Sequence, residues 1–131
     1  MYGRGATYKE AEVLGTSREQ LVPLLYRHLL INLRRAGKQI DAGDIEGKAE
    51  SLSRANDIVF ELLTSLNREQ GGELGQRLAA LYAWFSDEIR EAGRTLDRGR
   101  LDPLVELVGG LHEAWTEAAR MVEARAEPQG V

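Results

Sequence analysis

Residues 45–67 read IEGKAESLSRANDIVFELLTSLN, and apolar side chains recur in this stretch every three or four residues. This spacing is that of an amphipathic helix and not of a strand, whose side chains alternate with a period of two. Asp44 stands just before the stretch and is suited to cap the helix N-terminus. The stretch therefore predicts a helix with one buried face, formed by Ile45, Ala49, Leu52, Asn56, Val59, Leu63 and Leu66.

Three further segments have the same spacing, and short runs of Gly, Asp and Asn separate them. The first should follow a Ser17 cap and cover about 18–42, and the third should cover about 73–98. The fourth should cover about 102–125, with Asp102 as its cap and Pro103 in its first turn. The expected core stripes of these helices are Leu21, Leu25, Leu29, Leu33, Ala36 and Ile40; Leu74, Leu78, Leu81, Phe85, Ile89, Ala92 and Leu96; and Leu104, Val108, Leu111, Trp115, Ala118 and Val122.

The short connections favour antiparallel neighbours, so the predicted fold is an all-α, up-down-up-down four-helix bundle over residues 17–126. Residues 1–16 lack a sustained period and are expected to form a mobile, partly apolar N-terminal arm. Residues 127–131 are expected to be a disordered tail.

The composition indicates a single globular domain of the cytosol. The chain has 131 residues, 43% of them hydrophobic, and no cysteine, so neither disulfides nor thiolate-bound zinc can hold the fold. The N-terminus has no apolar signal region, and no stretch is apolar enough to span a membrane. The net charge of -4 argues against a nucleic-acid partner.

No pattern of catalytic or metal-binding residues emerges. His28 and His112 have no carboxylate or second histidine at ligand spacing on the same inward face. No serine lies in a Gly-x-Ser-x-Gly turn. We therefore expect no enzyme activity, no metal and no cofactor.

Two helices have more apolar side chains than one stripe requires. A second line on the second helix comprises Ser51, Ala55, Ile58, Leu62 and Ser65, and one on the fourth helix comprises Leu107, Ala114 and Met121. These lines could widen the buried stripe, or they could form an apolar groove for an amphipathic partner helix, which the arm with Tyr8 and Val13 could cover. The candidate partner-binding residues are Tyr8, Val13, Ala55, Ile58, Leu62, Leu107, Ala114 and Met121.

Read in order, these elements resemble the FliS family of flagellar export chaperones over about residues 7–118. The matching positions are Tyr8 and Val13 in the arm; Ser17, Glu19, Leu21, Leu25 and Tyr26; Asp44, Ile45, Lys48, Ala55, Ile58, Glu61, Leu62, Ser65 and Leu66; Gly71, Gly72 and Glu73; and Leu81, Tyr82, Ala92, Leu111 and Trp115. The chain departs from the family pattern at Arg27 and His28, where Asp-Gly is usual, at Arg18, where a proline is common, and at Gly93, where asparagine is common.

The resemblance implies a cytoplasmic chaperone that binds the C-terminal segment of unassembled flagellin and prevents its premature polymerisation. It also implies delivery of that client to the flagellar type III export apparatus. A homodimeric helical-bundle adaptor with a different client is the alternative, in which the surplus apolar lines pack between two copies. The oligomeric state expected for the chaperone is a monomer or a weak homodimer.

Overall fold

A computed structural model describes residues 18–69 and 71–126, and it confirms the predicted all-α bundle. Residues 1–17, which include the predicted arm and the Ser17 cap, and residues 127–131 lie outside this description. The four helices are α1 Arg18–Ala42, α2 Ile45–Glu69, α3 Gly72–Thr95 and α4 Arg98–Ala126.

Each helix packs on two neighbours, so the bundle is a closed ring in the order α1, α2, α3, α4. Two hydrogen bonds show that the neighbouring helices α2 and α3 run antiparallel. Lys48 at the start of α2 reaches Gly93 near the end of α3, and Asn56 further along α2 reaches Ser86 earlier in α3. The α1 helix packs extensively on α2 and α4, whereas the contact between α3 and α4 is the least extensive of the four.

The core occupies the middle of the helices. The predicted stripes are buried or half-buried there, with Leu29, Leu33, Phe85 and Val108 fully enclosed. Six stripe positions are exposed instead, and all except Ala118 lie within about a turn of a helix end: Ile45, Ala49, Leu74, Leu96, Ala118 and Val122. The helical period continues past the point where a neighbouring helix covers it, so periodicity alone overstates burial near the ends.

The α1–α2 turn is set by Gly43 and Asp44. Gly43 has a φ of 74°, a left-handed conformation that a side chain disfavours. The Asp44 amide donates to the Gln39 carbonyl at 2.9 Å and the Gly43 amide to the Ile40 carbonyl at 3.1 Å, which together close the C-terminus of α1. The Gly47 amide donates to the Asp44 carboxylate at 2.9 Å, so the predicted cap of α2 is confirmed.

The sequence prediction for the start of α4 is wrong. Leu96 takes a left-handed conformation with φ 56°, α3 ends at Thr95, and α4 begins at Arg98 instead of after Asp102. Asp97 is the cap, because its carboxylate accepts the Gly99 amide at 2.8 Å. The early start places Pro103 inside the helix, where its missing N–H removes one backbone hydrogen bond.

Arg98 gives a physical reason for this early start. Its guanidinium donates to the Gly37 carbonyl at 3.1 Å and pairs with the Asp41 carboxylate, both near the C-terminus of α1. A cation is favoured at that negative end of the α1 dipole. Contact with a helix distant in sequence therefore supports the boundary that the Asp97 cap marks locally.

Lys48 ties α2 to α3. Its side chain is 3% exposed, and its ammonium donates to the Gly93 carbonyl at 2.9 Å. We expect Lys48→Met, which keeps the aliphatic stem, to lower the free energy of unfolding by about 1–3 kcal/mol, because a charge-assisted hydrogen bond is lost. Urea unfolding measures this difference, and the exposed Lys38→Met is the matched control, expected to change it by less than about 0.5 kcal/mol. Equal effects of the two changes would contradict the assigned role of Lys48.

Candidate functional site

The second apolar line of α2 belongs to the core. Ala55, Ile58 and Leu62 are all buried, with Leu62 only 1% exposed. The line faces α1, because its member Ser51 lies 2.8 Å from the Gln39 side-chain amide of that helix. The interpretation as a widened buried stripe therefore holds for α2, and the prediction that these residues line an open groove is wrong. Small side chains at Ser51 and Ala55 allow α1 to approach closely, which closes the surface.

The apolar line of α4 is exposed. Leu107 is 39% exposed and Met121 is 47% exposed, and Ala114 between them is also exposed. Residues seven apart lie on nearly the same side of a helix, and Arg100 lies seven residues before Leu107. Arg100 pairs with Glu88 of α3 at 3.6 Å, which places the start of this line on the side of α4 that faces α3. The line then turns by about 20° per seven residues, so Leu107 lies nearer that side than Met121 does.

The α3 helix presents a matching line. Leu81 and Leu74 lie seven and fourteen residues before Glu88. Since the two helices are antiparallel and Glu88 is opposite Arg100, this register places Leu81 opposite Leu107 and Leu74 opposite Ala114. Leu74 is nevertheless 55% exposed, which shows that α4 does not cover it.

These residues define an apolar surface that we name the α3–α4 trough. Glu88 and Arg100 pair across the two helices near the α3–α4 connection, and the limited contact elsewhere leaves apolar side chains of both helices exposed. The trough comprises Leu74 and Leu81 of α3 and Leu107, Ala114 and Met121 of α4.

An aromatic cluster lies beside the trough, since Tyr82 follows Leu81 and Trp115 follows Ala114. The Tyr26 ring centroid is 6.2 Å from that of Trp115 and 6.5 Å from that of Phe85. The Tyr26 and Tyr82 hydroxyls are 3.3 Å apart. Through these ring contacts, Tyr26 of α1 packs on both α3 and α4 beside the trough.

Burial raises the pKa of both tyrosines. Desolvation is the main cause for Tyr26, and the nearby Tyr82 phenol raises its pKa further. Desolvation also raises the pKa of Tyr82, partly offset by its hydrogen bond with Tyr26. The folded state therefore favours the neutral phenols more than the unfolded chain does.

This pKa shift predicts a loss of stability in alkali. A group whose pKa is raised on folding stabilises the fold fully below its unfolded pKa, about 10 for tyrosine, and progressively less above it. The free energy of unfolding should fall above about pH 10, by up to ~1.4 kcal/mol per pH unit for each buried tyrosine. Urea unfolding between about pH 9 and 11.5 measures this slope, and Tyr82→Phe should make it shallower. An unchanged slope in Tyr82→Phe would contradict the assignment.

Two candidate residues and two departures from the family pattern remain to be placed. Tyr8 and Val13 lie outside the described residues. Arg27 is exposed beside a cleft between α1 and α4, and His28 is buried on α1. The departure from the family pattern at these two positions therefore lies on α1 and not in the trough.

Within residues 18–69 and 71–126, no group of three or more His, Asp or Glu side chains is arranged to hold a metal ion. In the same part of the chain, none of the helices is both long enough and apolar enough to cross a bilayer.

Comparison with known proteins identifies the family. The family model described as "Flagellar protein FliS" matches residues 1–122. The chain belongs to the FliS family. A FliS relative of Escherichia coli, named a flagellar secretion chaperone, is 32% identical over 83% of this chain and 81% of its own length. FliS relatives with the same name from Salmonella typhimurium and Campylobacter jejuni are 29% and 31% identical, over 82% and 77% of this chain and 81% and 79% of their own lengths.

Proposed function

We propose that this FliS family member is a cytosolic export chaperone that binds the C-terminal segment of unassembled flagellin in the α3–α4 trough. Two facts support the proposal: the relatives are named flagellar secretion chaperones, and the bundle has an open apolar surface between two helices. The observation that carries the location is the exposed line of Leu107, Ala114 and Met121, which starts on the side of α4 that faces α3. The C-terminal segment is the client that the sequence resemblance implies.

The trough suits an amphipathic helix. Such a helix presents apolar side chains at three-, four- and seven-residue spacing, which matches the spacing of the trough residues. Complete desolvation of one large apolar side chain contributes about 1.5–3 kcal/mol, so a few anchors can sustain a specific complex. A client segment that is unfolded before binding loses part of this gain to the ordering of its chain.

This mode of binding accounts for the other steps of the proposed function. A flagellin segment held in the trough has its apolar face covered, and it is unable to use that face to join a filament. The complex would then deliver the client to the flagellar type III export apparatus. We further propose that Tyr8 and Val13 are repositioned when the client binds.

Calorimetry with a peptide of the flagellin C-terminal segment tests the proposal. We expect micromolar or tighter binding, with a negative heat-capacity change because apolar surface is buried. No heat and no competition at ~100 µM peptide would contradict it. Light scattering provides a second test, since a stable dimer at micromolar concentration that Leu107→Asp dissociates would identify the trough as a homodimer interface.

A further inference from the structure

All charged residues between Gln20 and Ile40 of α1 are cationic or histidine, although the protein as a whole is acidic. Residues 20–40 contain no Asp or Glu, although the chain as a whole has a net charge of -4. Arg27, Arg34, Arg35 and Lys38 are all exposed on this helix. Ile31 lies among them and is 38% exposed, which places an apolar side chain in the middle of the charges. We name these five residues the α1 basic face.

The four cations of this face form no ion pair and no side-chain hydrogen bond with any residue that the structure describes. Most arginines elsewhere on the described bundle behave differently, with Arg125 near the end of α4 as an exception. Each of the following pairs with a carboxylate: Arg54, Arg77, Arg90, Arg94, Arg98, Arg100 and Arg120. The positive charge is therefore neutralised over most of the surface and left uncompensated on α1.

The α1 basic face is separate from the trough. In the ring of helices α1 lies diagonally opposite α3, and its outer face points away from the core and from α3. A client in the trough leaves the α1 basic face open. One bundle can therefore hold two partners at once.

A cleft continues this face toward the start of α1. It has a volume of about 370 Å³ and lies between α1 and α4. Arg27 belongs both to the cleft and to the α1 basic face. The apolar walls of the cleft are formed by Pro23, Leu24 and Ala119. Glu123 and Arg120 also line the cleft, where Gln20 donates to Glu123 and Arg120 pairs with Glu117. An apolar side chain of a partner would fit between the apolar walls while an acidic side chain beside it approaches Arg27.

We propose that the α1 basic face is a docking surface for an acidic, amphipathic segment of a partner protein. Carboxylates of that segment pair with Arg27, Arg34, Arg35 and Lys38, and an apolar side chain packs on Ile31. From Arg27 to Lys38 the face extends along about 16 Å of helix, which corresponds to roughly three turns of a partner helix. Charge complementarity of this kind speeds association and selects the partner.

The same surface is poorly suited to a nucleic acid or a lipid bilayer. A nucleic acid or an anionic bilayer would extend beyond this narrow strip onto a protein whose net charge is -4, whereas a short acidic segment need not. Ile31 is the single exposed apolar side chain among the four cations, whereas an interfacial membrane helix presents a continuous apolar face. The narrow charged strip with one apolar centre fits a single protein segment.

Fluorescence anisotropy with a labelled synthetic helical peptide tests the docking surface. The peptide carries glutamates on one face around a central leucine, and its counterpart has glutamine at every glutamate position. At low salt we expect the acidic peptide to bind and Arg34→Glu/Arg35→Glu to weaken binding about tenfold or more. The matched control Arg90→Glu/Arg94→Glu changes the net charge equally on α3 and should alter the affinity less than about threefold.

The proposal is overturned if the glutamine peptide binds as well as the acidic one, or if both double variants weaken binding equally. It is also overturned if vesicles with anionic lipid bind the protein through these arginines while the acidic peptide does not. Repeating the titration with the flagellin peptide already bound separates the two proposals, because docking on α1 is expected to be unchanged by client occupancy. A competition between the two peptides would contradict the separation of the sites.

Discussion

Leu62→Asp is expected to unfold the bundle. Leu62 is 1% exposed and lies where α2 packs on α1, so the aspartate would be buried without a partner. Loss of the leucine contacts and burial of a carboxylate together should lower the free energy of unfolding by about 4 kcal/mol or more. This is a large fraction of the roughly 5–15 kcal/mol that stabilises a typical domain. Circular dichroism during thermal unfolding measures the effect.

Phe60→Asp is the matched control for this prediction. Phe60 lies two residues earlier on the same helix, but its side chain is 65% exposed. The same change to aspartate should therefore lower the free energy of unfolding by no more than about 1 kcal/mol. If Leu62→Asp folds as well as Phe60→Asp, then the second apolar line of α2 is not part of the core, and the closed α1–α2 contact is wrong.

Leu107→Asp combined with Met121→Asp is expected to abolish client binding while the bundle stays folded. The two side chains lie in the trough and are 39% and 47% exposed, so the free protein tolerates a charge at each position. In the complex the carboxylates would be covered by the client and lose their hydration. Losing two apolar anchors and desolvating two charges should weaken binding at least about a hundredfold.

Ile31→Asp is the matched control for the trough. Ile31 is 38% exposed, nearly the same as Leu107, but it lies on the outer face of α1. Calorimetry with the flagellin C-terminal peptide should give an unchanged affinity for this variant. Equal losses of affinity in Ile31→Asp and in the Leu107/Met121 variant would show that the trough is not the binding site.

The fold could be predicted because four segments each have a clear helical period and short connections. The central positions of the stripes, such as Leu33 and Phe85, are buried as expected. The misplaced positions, such as Ile45 and Leu96, depend on where a neighbouring helix ends. The start of α4 is also supported by the contact of Arg98 with α1, which is distant in sequence.

Only part of the candidate site can be predicted from the sequence. Periodicity correctly showed that α2 and α4 each have a second apolar line, but it does not say which neighbour covers that line. Small residues at Ser51 and Ala55 let α1 cover the line on α2, whereas α3 leaves Leu107 and Met121 of α4 open. The sequence does not distinguish the α3 wall of the trough from the core, because Leu74 continues the periodic stripe of buried positions. The distance between two helices is a tertiary property that one helical pattern does not contain.

Site-directed photo-crosslinking tests the location of the client most directly. The chain has no cysteine, so a single cysteine at Leu107 can carry a benzophenone label, and the same label at Ile31 or Phe60 is the control. With the flagellin C-terminal peptide at saturating concentration, we expect crosslinks from position 107 and none from positions 31 and 60. Crosslinks from position 31 or 60 with none from 107 would contradict binding in the α3–α4 trough.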